Sequence, residues 1–322
     1  MWQRLRSPIE RVAYYTTALG REVLPHPYWR AQWERWLARL GQDGIAPETA
    51  ERLAYYNKLE EGASAAAAPR LRDMSHKPSY YYYDLRRFAS AFDRELQLGY
   101  VFGDVNFVPA IPSVVKSRPI GNGNTNGVLM KLDRLRHYRW PQDSLPFEQK
   151  APRAVWRGVL NTEARRRLVE LYGGHTAFDI GHVQTGVEGV APKARLSIPQ
   201  QLASRYIISL EGNDVATNLK WIMTSNSLCL MPRPRYETWF MEGALVPGRH
   251  YAELRADLSD LEETVAHYER HPEEARRIIS EAHAHVARFA DTRREALLSF
   301  LVLQKYFECT GQMERRPLVT TA

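Results

Sequence analysis

Apolar positions recur every three or four residues from Arg11 to Leu59, with Trp29, Trp33, Trp36, Leu37 and Leu40 along one side. That spacing predicts helix, and the tryptophans read as core packing. Gly62 to Pro69 (GASAAAAP) reads as a linker or helix end. The aromatic run Tyr80 to Tyr83 reads as a half-buried strand, because tyrosine favours strands. From Leu96 the pattern changes. Leu98, Tyr100, Val101 and Phe102 form a short apolar strand that ends at Gly103 and Asp104. Pro109, Pro112 and Pro119 then impose an extended path, and Gly121 to Gly127 (GNGNTNG) forms a loop ahead of a helix or strand at Val128 to Leu135.

After Phe147 strands and helices alternate. Strands are predicted at Ala154 to Trp156, Tyr206 to Leu210, Ser227 to Met231 and His250 to Leu254. Helices are predicted at Thr162 to Leu171, Val215 to Met223 and Glu274 to Phe289, the last with Ile278, Ala282, Val286 and Phe289 on one side. Ser259-Asp-Leu-Glu262 reads as a capping box that opens a further helix. This alternation predicts the α/β class with a parallel sheet. Ligands of such sheets bind at the carboxyl ends of the strands, which singles out Arg157, Gly158, Gly212, Asn213 and the residues after Met231.

A chain of 322 residues is long enough for two domains. A hydrophobic fraction of 44% and a charged fraction of 25% exclude wholesale disorder. Two cysteines, Cys229 and Cys309, are too few for a disulfide framework and fit a reducing compartment. Met1 to Glu10 lacks the apolar stretch of a secretory signal, and no apolar run approaches the roughly 20 residues that span a bilayer. The expectation is a cytoplasmic protein. The net charge of +7, carried far more by arginine than by lysine, points to a phosphate-bearing partner, with an anionic membrane or nucleic acid as alternatives.

Three places could carry chemistry. The turn Glu211-Gly-Asn-Asp214 lies between a strand and a helix, where free N–H groups can hold a phosphate and a glycine admits close approach. Trp156-Arg157-Gly158 is followed by Arg165, Arg166 and Arg167, which could turn back over a diphosphate. Asp104, at a strand end before a proline-rich loop, could act as a general base.

Taken in order, these segments resemble glycosyltransferase family 90, the CAP10-like family of animal protein O-glucosyltransferases, fungal capsule xylosyltransferases and bacterial lipopolysaccharide-modifying enzymes. The resemblance is carried by Gly103-Asp104 with Pro109-Ala-Ile-Pro112, Trp156-Arg157-Gly158 with Arg165, and Tyr206 to Leu210 with Gly212 and Lys220. Ser227 to Met231, Glu237-Thr-Trp-Phe240 and Pro247-Gly-Arg-His-Tyr251 complete it. It covers roughly residues 97–290 and little of the first 90. Lys116-Ser-Arg-Pro119 and Arg136-His137 look like the bacterial branch.

The resemblance implies a GT-B architecture, two Rossmann-like domains facing a cleft. The domains would be 1–150 on the acceptor side and 151–290 for the nucleotide-sugar, with 291–322 a helix packing back on the N-terminal half. It implies an inverting, metal-independent transfer of a hexose or pentose from a UDP-sugar to a saccharide, lipid-linked glycan or protein hydroxyl. No cofactor is implied beyond the donor, and no residue is assigned to a metal. By resemblance Asp104 is the catalytic base and Arg165 binds the diphosphate. Arg157, Gly158, Gly212, Asn213, Asp214, Thr217 and Asn218 complete the donor site, with Glu237 at the ribose. Val159 stands where the animal enzymes carry a hydroxyl residue, and Asn218 where they carry an arginine. Arg118, Arg136 and His137 are therefore the candidates for further phosphate or acceptor contacts. A basic surface on a cytoplasmic enzyme suggests peripheral contact with an anionic inner leaflet.

Two other readings compete. A nucleic-acid-binding protein would share the charge, but the chain has no zinc spacing, RNP-like motif or basic tail, so nucleic acid is not expected as a partner. A non-catalytic protein with a degenerate transferase fold would not need to keep both Asp104 and Arg165.

Overall fold

Helical periodicity in the first 60 residues becomes three helices in the computed structural model, which describes residues 8–76, 78–187 and 190–316. They are α1 (Pro8–Glu22), α2 (His26–Asp43) and α3 (Pro47–Tyr56). The segment from Met1 to Ser7, read above for the absence of a signal, and the side chain of Leu40 lie outside the described part. Trp29 and Trp33 are buried, as their spacing requires, and Trp33 stacks on Phe300 at 4.9 Å between ring centroids.

The tyrosine run corrects its reading. Tyr80 to Tyr83 open a helix, α4 (Tyr80–Ala89), rather than form a strand. Ser79 caps it by accepting from the Tyr82 N–H at 3.2 Å, and Tyr82, Leu85, Phe88 and Ala89 are buried at helical spacing. Cap and amphipathic spacing together outweigh the strand preference of single tyrosines.

Four short strands follow: β1 (Tyr100–Val101), β2 (Ser113–Val115), β3 (Ser117–Pro119) and β4 (Gly127–Leu129), then α5 (Arg134–His137). The chain continues through β5 (Ala151–Gly158), α6 (Glu163–Tyr172), β6 (Asp179–His182), α7 (Ile198–Leu202), β7 (Ser204–Ile208), α8 (Leu219–Ile222) and β8 (Leu228–Met231). It closes with β9 (Tyr236–Thr238), β10 (Ala252–Glu253), α9 (Leu261–Arg270), α10 (Pro272–Ala287) and α11 (Thr292–Cys309).

These elements form two compact units. Unit 1 comprises residues 1–136, 236–241 and 291–322; unit 2 comprises 137–235 and 242–290. Unit 1 is rich in helix. Its parallel sheet has the order β1-β2-β4, and β3 pairs antiparallel with β9. The C-terminal helix α11 belongs to this unit and packs on α3 and α4. A buried polar layer lies beneath it. Arg52 and Lys131 both meet the Glu295 carboxylate, at 2.6 Å each, and the Trp239 indole donates to the same group at 2.7 Å.

Unit 2 contains a five-stranded parallel sheet of order β10-β8-β7-β5-β6. Its strands read as near-continuous apolar runs because the central ones are covered on both faces; Tyr206, Ile207, Ile208, Leu228 and Leu230 are all fully buried. The first strand in sequence, β5, lies inside the sheet, with the second, β6, on one side and the third, β7, on the other. Connections therefore leave β5 and β7 in opposite directions, which makes their carboxyl ends the switch point where open α/β sheets bind ligands.

Two sequence expectations fail locally here. The helix expected over Val215 to Met223 is reduced to the four residues of α8, so residues 212–218 are an irregular turn. Nor does Ser259 cap α9. The cap position is Asp260, whose carboxylate instead accepts from the Arg255 N–H at 3.0 Å, while the Ser259 hydroxyl donates to Asp257.

Candidate active site

In unit 2, the loops after β5 and β7 meet at the switch point. Arg165, in the first turn of α6, reaches back over them. Its Nε donates to the Glu211 carbonyl at 2.9 Å, Nη2 to the Leu210 carbonyl at 2.8 Å and Nη1 to the Asn161 side-chain oxygen at 3.0 Å. Trp156 lies under the guanidinium, 5.9 Å from ring centroid to Cζ. Every one of these acceptors is neutral. The Glu211 carboxylate is itself turned to Arg235, accepting from its backbone N–H at 2.8 Å and its Nε at 3.0 Å. Burial alone pushes the Arg165 guanidinium down to about 10, which still leaves it protonated at neutral pH. A half-buried cation held by carbonyls, with no counter-charge among the described residues, suits an anionic ligand.

Gly212 borders that guanidinium, and Asn161 and Asn213 join the two loops through a 3.2 Å side-chain hydrogen bond. Asp214 is buried, and its carbonyl accepts from the Gly212 N–H at 2.9 Å. Thr217 is half-buried. Asn218 turns inward, donating to the Ile208 carbonyl at 3.0 Å and accepting from the Ser209 hydroxyl at 3.1 Å. Because α8 has only four residues, helix-end amides contribute little charge here. Arg165 is the cation of this group that could hold an anion.

Arg157, expected in the donor site, does not join this group. Its guanidinium runs along β5 to Asp179 on β6, with Nη2 2.5 Å from the carboxylate, and donates further to the carbonyls of Ala194, Trp156 and Asp179. Its charge is therefore already compensated. Gly158 matters sterically: a Cβ there would stand 2.3 Å from the Trp156 ring.

In unit 1, Gly103 adopts a left-handed φ of +117°, a conformation that glycine tolerates best. It turns Asp104 toward two cations. Lys116 Nζ lies 2.5 Å and Arg136 Nη2 2.9 Å from the same carboxylate oxygen, and the Tyr81 hydroxyl lies 3.4 Å away. The Asp104 side chain retains 28% exposure while Lys116 is nearly sealed. Burial would raise the Asp104 carboxyl, but Lys116 and then Arg136 outweigh it and hold it well below the usual carboxylate range. Asp133 also meets Arg136, with 2.7 Å between Oδ2 and Nε. Burial pushes Asp133 up to about 6 against the pull of Arg136 and Lys116. Sequence reading missed Lys116, Asp133 and Tyr81 as site residues; only their nearness to Asp104 in space identifies them.

Glu237 and Arg118 also depart from expectation. Glu237 sits on β9 in unit 1, not among the donor-side residues of unit 2, and is buried with Arg118 at 2.7 Å. Arg118 is fully buried and donates to the carbonyls of Tyr55 at 2.6 Å and Gly127 at 2.7 Å, so it cannot reach a ligand without dismantling this core. His137 is buried as well.

A sequence model of glycosyl transferase family 90 matches residues 125–310, more than half of the chain and including Arg165 and the 212–218 turn, although Asp104 lies before it. The O-glucosyltransferase LpsA of Dichelobacter nodosus is 42% identical over 316 residues, 95% of this chain and 98% of that protein. Protein O-glucosyltransferase 3 of Homo sapiens is 29% identical over 170 residues, 49% of this chain and 32% of that protein. No helix among the described residues is long and apolar enough to cross a membrane. A parallel sheet with a half-buried cation at its switch point, a family model matched over more than half of the chain and a relative matched along nearly its whole length agree: the chain belongs to glycosyl transferase family 90 and is a glycosyltransferase.

Proposed function

We propose that the chain transfers a glucosyl unit from UDP-glucose to a hydroxyl of a saccharide, lipid-linked glycan or protein, with inversion and without a catalytic metal. The observation that carries this reading is Arg165, a half-buried cation beside Gly212 with no counter-charge among the described residues. Negative charge develops on the leaving diphosphate during transfer, and a fixed guanidinium there stabilises the transition state more than the ground state. Glucose as the sugar is suggested by the names of the relatives, both O-glucosyltransferases. In this reading unit 2 holds the donor, and Asp104 belongs to unit 1.

Asp104 is the proposed base. Its two cations keep it ionised and fixed but weaken its proton affinity, so it orients the acceptor hydroxyl and takes the proton late, as the new C–O bond forms. Lys116 and Arg136 position it. The enzyme is proposed to work in the cytoplasm with peripheral contact to an anionic membrane surface, supported by the +7 net charge; sedimentation with anionic vesicles at low salt tests that part.

The transfer reading is tested by incubating the protein with a panel of UDP-sugars and candidate acceptors, with and without EDTA, and assigning the product anomer by NMR. Transfer from UDP-glucose with inversion, unaffected by EDTA, is expected. Retention of configuration, or a strict requirement for a divalent ion in turnover, would overturn it.

A further inference from the structure

The corner between α9 and α10 holds side chains that the transfer reaction does not use. His267 lies in the last turn of α9, His271 follows its end, and Glu274 lies in the first turn of α10. Among the described residues these three are the one group of metal-ligating side chains whose donor atoms all lie within 4.8 Å of one another. His267 Nε2 and Glu274 Oε2 are 3.0 Å apart, and the two imidazoles stack at 4.5 Å between centroids. We propose that His267, His271 and Glu274 bind a zinc-class divalent ion that staples the end of α9 to the start of α10.

Two imidazoles and one carboxylate suit zinc, nickel or copper and not the hard cations, which prefer oxygen. Tetrahedral zinc at ligand distances of about 2.0–2.1 Å puts its ligands roughly 3.3–3.4 Å apart. The 3.0 Å pair is already near that separation, and the third ligand needs only a side-chain adjustment. His271 Nδ1 lies 2.9 Å from the His267 carbonyl. A carbonyl can only accept, so Nδ1 carries the proton and Nε2 keeps its lone pair; a backbone bond of this kind fixes the tautomer of many metal-bound histidines. His267 and Glu274 are 42% and 39% exposed, which leaves an ion a path to them. Arg277 is a nearby cation that opposes binding.

The site stands apart from the donor pocket within unit 2. Glu269, two residues after His267, accepts from the Tyr206 hydroxyl at 2.7 Å and from Arg205 at 2.5 Å, both at the start of β7. The corner therefore lies toward the amino ends of the strands, whereas Arg165 lies at their carboxyl ends. The ion would act on stability, so the inference does not depend on the proposed transfer.

The test is zinc titration of the full chain by calorimetry, with melting temperature followed in parallel. One zinc per chain is expected, with a rise in melting temperature that magnesium does not reproduce. His271→Ala and Glu274→Gln should each weaken zinc binding by about tenfold or more. His175→Ala, at a half-buried histidine paired with Glu262, should leave it unchanged. UDP affinity should be equal in the parent and His271→Ala proteins. Zinc affinity unaltered by His271→Ala, no saturable zinc binding at all, or an equal response to magnesium would each overturn the proposal.

Discussion

The Nη2 of Arg165 lies 3.2 Å from the position that a Cβ on residue 212 would occupy, so Gly212 leaves open the space beside the guanidinium where an anion can approach. Charge-assisted bonds from an arginine to a phosphate are worth roughly 1.5–3 kcal/mol each. Arg165→Ala should therefore weaken UDP binding by about tenfold to a hundredfold with the fold intact. Gly212→Val should weaken it too, by crowding, while leaving Arg165 in place. Calorimetric UDP titration of both variants checks this, and unchanged affinity in Arg165→Ala would remove the donor-site assignment.

Asp104→Asn preserves the shape of the side chain and removes its basicity. Loss of a general base typically costs roughly 10²–10⁴-fold. Transfer should fall by about that factor while UDP affinity persists. Near-normal turnover with a proven acceptor would place the base elsewhere, and the adjacent carboxylate of Asp133 would be the first alternative to examine.

Asp133 titrates in a window of its own. With its folded pKa raised to about 6 from an ordinary 3.8, the folded chain holds a proton there that the unfolded chain has lost. Its contribution to stability is complete below about pH 4 and disappears as the pH rises through 6. Asp133 adopts a left-handed φ of 57°, which asparagine also tolerates. The stability difference between parent and Asp133→Asn, measured by urea midpoints, should therefore shift against the parent between pH 4.5 and 7. A difference independent of pH would show that Asp133 is ionised throughout.

Lys220 and Glu242 form a sealed ion pair in unit 2, with 2.7 Å between Nζ and Oε1 and both side chains at most 1% exposed. Replacing one partner leaves a buried charge without its match, which typically costs about 3–5 kcal/mol. Lys220→Met should unfold at markedly lower denaturant than the parent, and Lys220→Met with Glu242→Leu should recover part of the loss. A single variant as stable as the parent would mean that Glu242 finds another cation.

Much of unit 2 was legible because its signals are local. The apolar runs at Tyr206 to Leu210 and Ser227 to Met231, bounded by turn residues, could be little else but buried parallel strands. The family resemblance rested on those same segments and on Arg165. Other features were not local. The tyrosine run became a helix because Ser79 caps it and its buried face has neighbours to pack against. Glu237 looked like part of the nucleotide domain by sequence position, yet β9 pairs with β3 and carries it into unit 1.

The sequence by itself determined the α/β class, the parallel sheet and the family, since periodicity and ordered motifs are properties of the chain. The tertiary structure alone decided which charges are free to act. Arg157, Arg165 and Arg118 are equivalent as letters, but Arg157 lies against Asp179, Arg118 is sealed against Glu237, and Arg165 is surrounded by carbonyls. A cation's availability depends on what lies within hydrogen-bond reach in space, and partners 22 and 119 residues away along the chain are brought there only by folding.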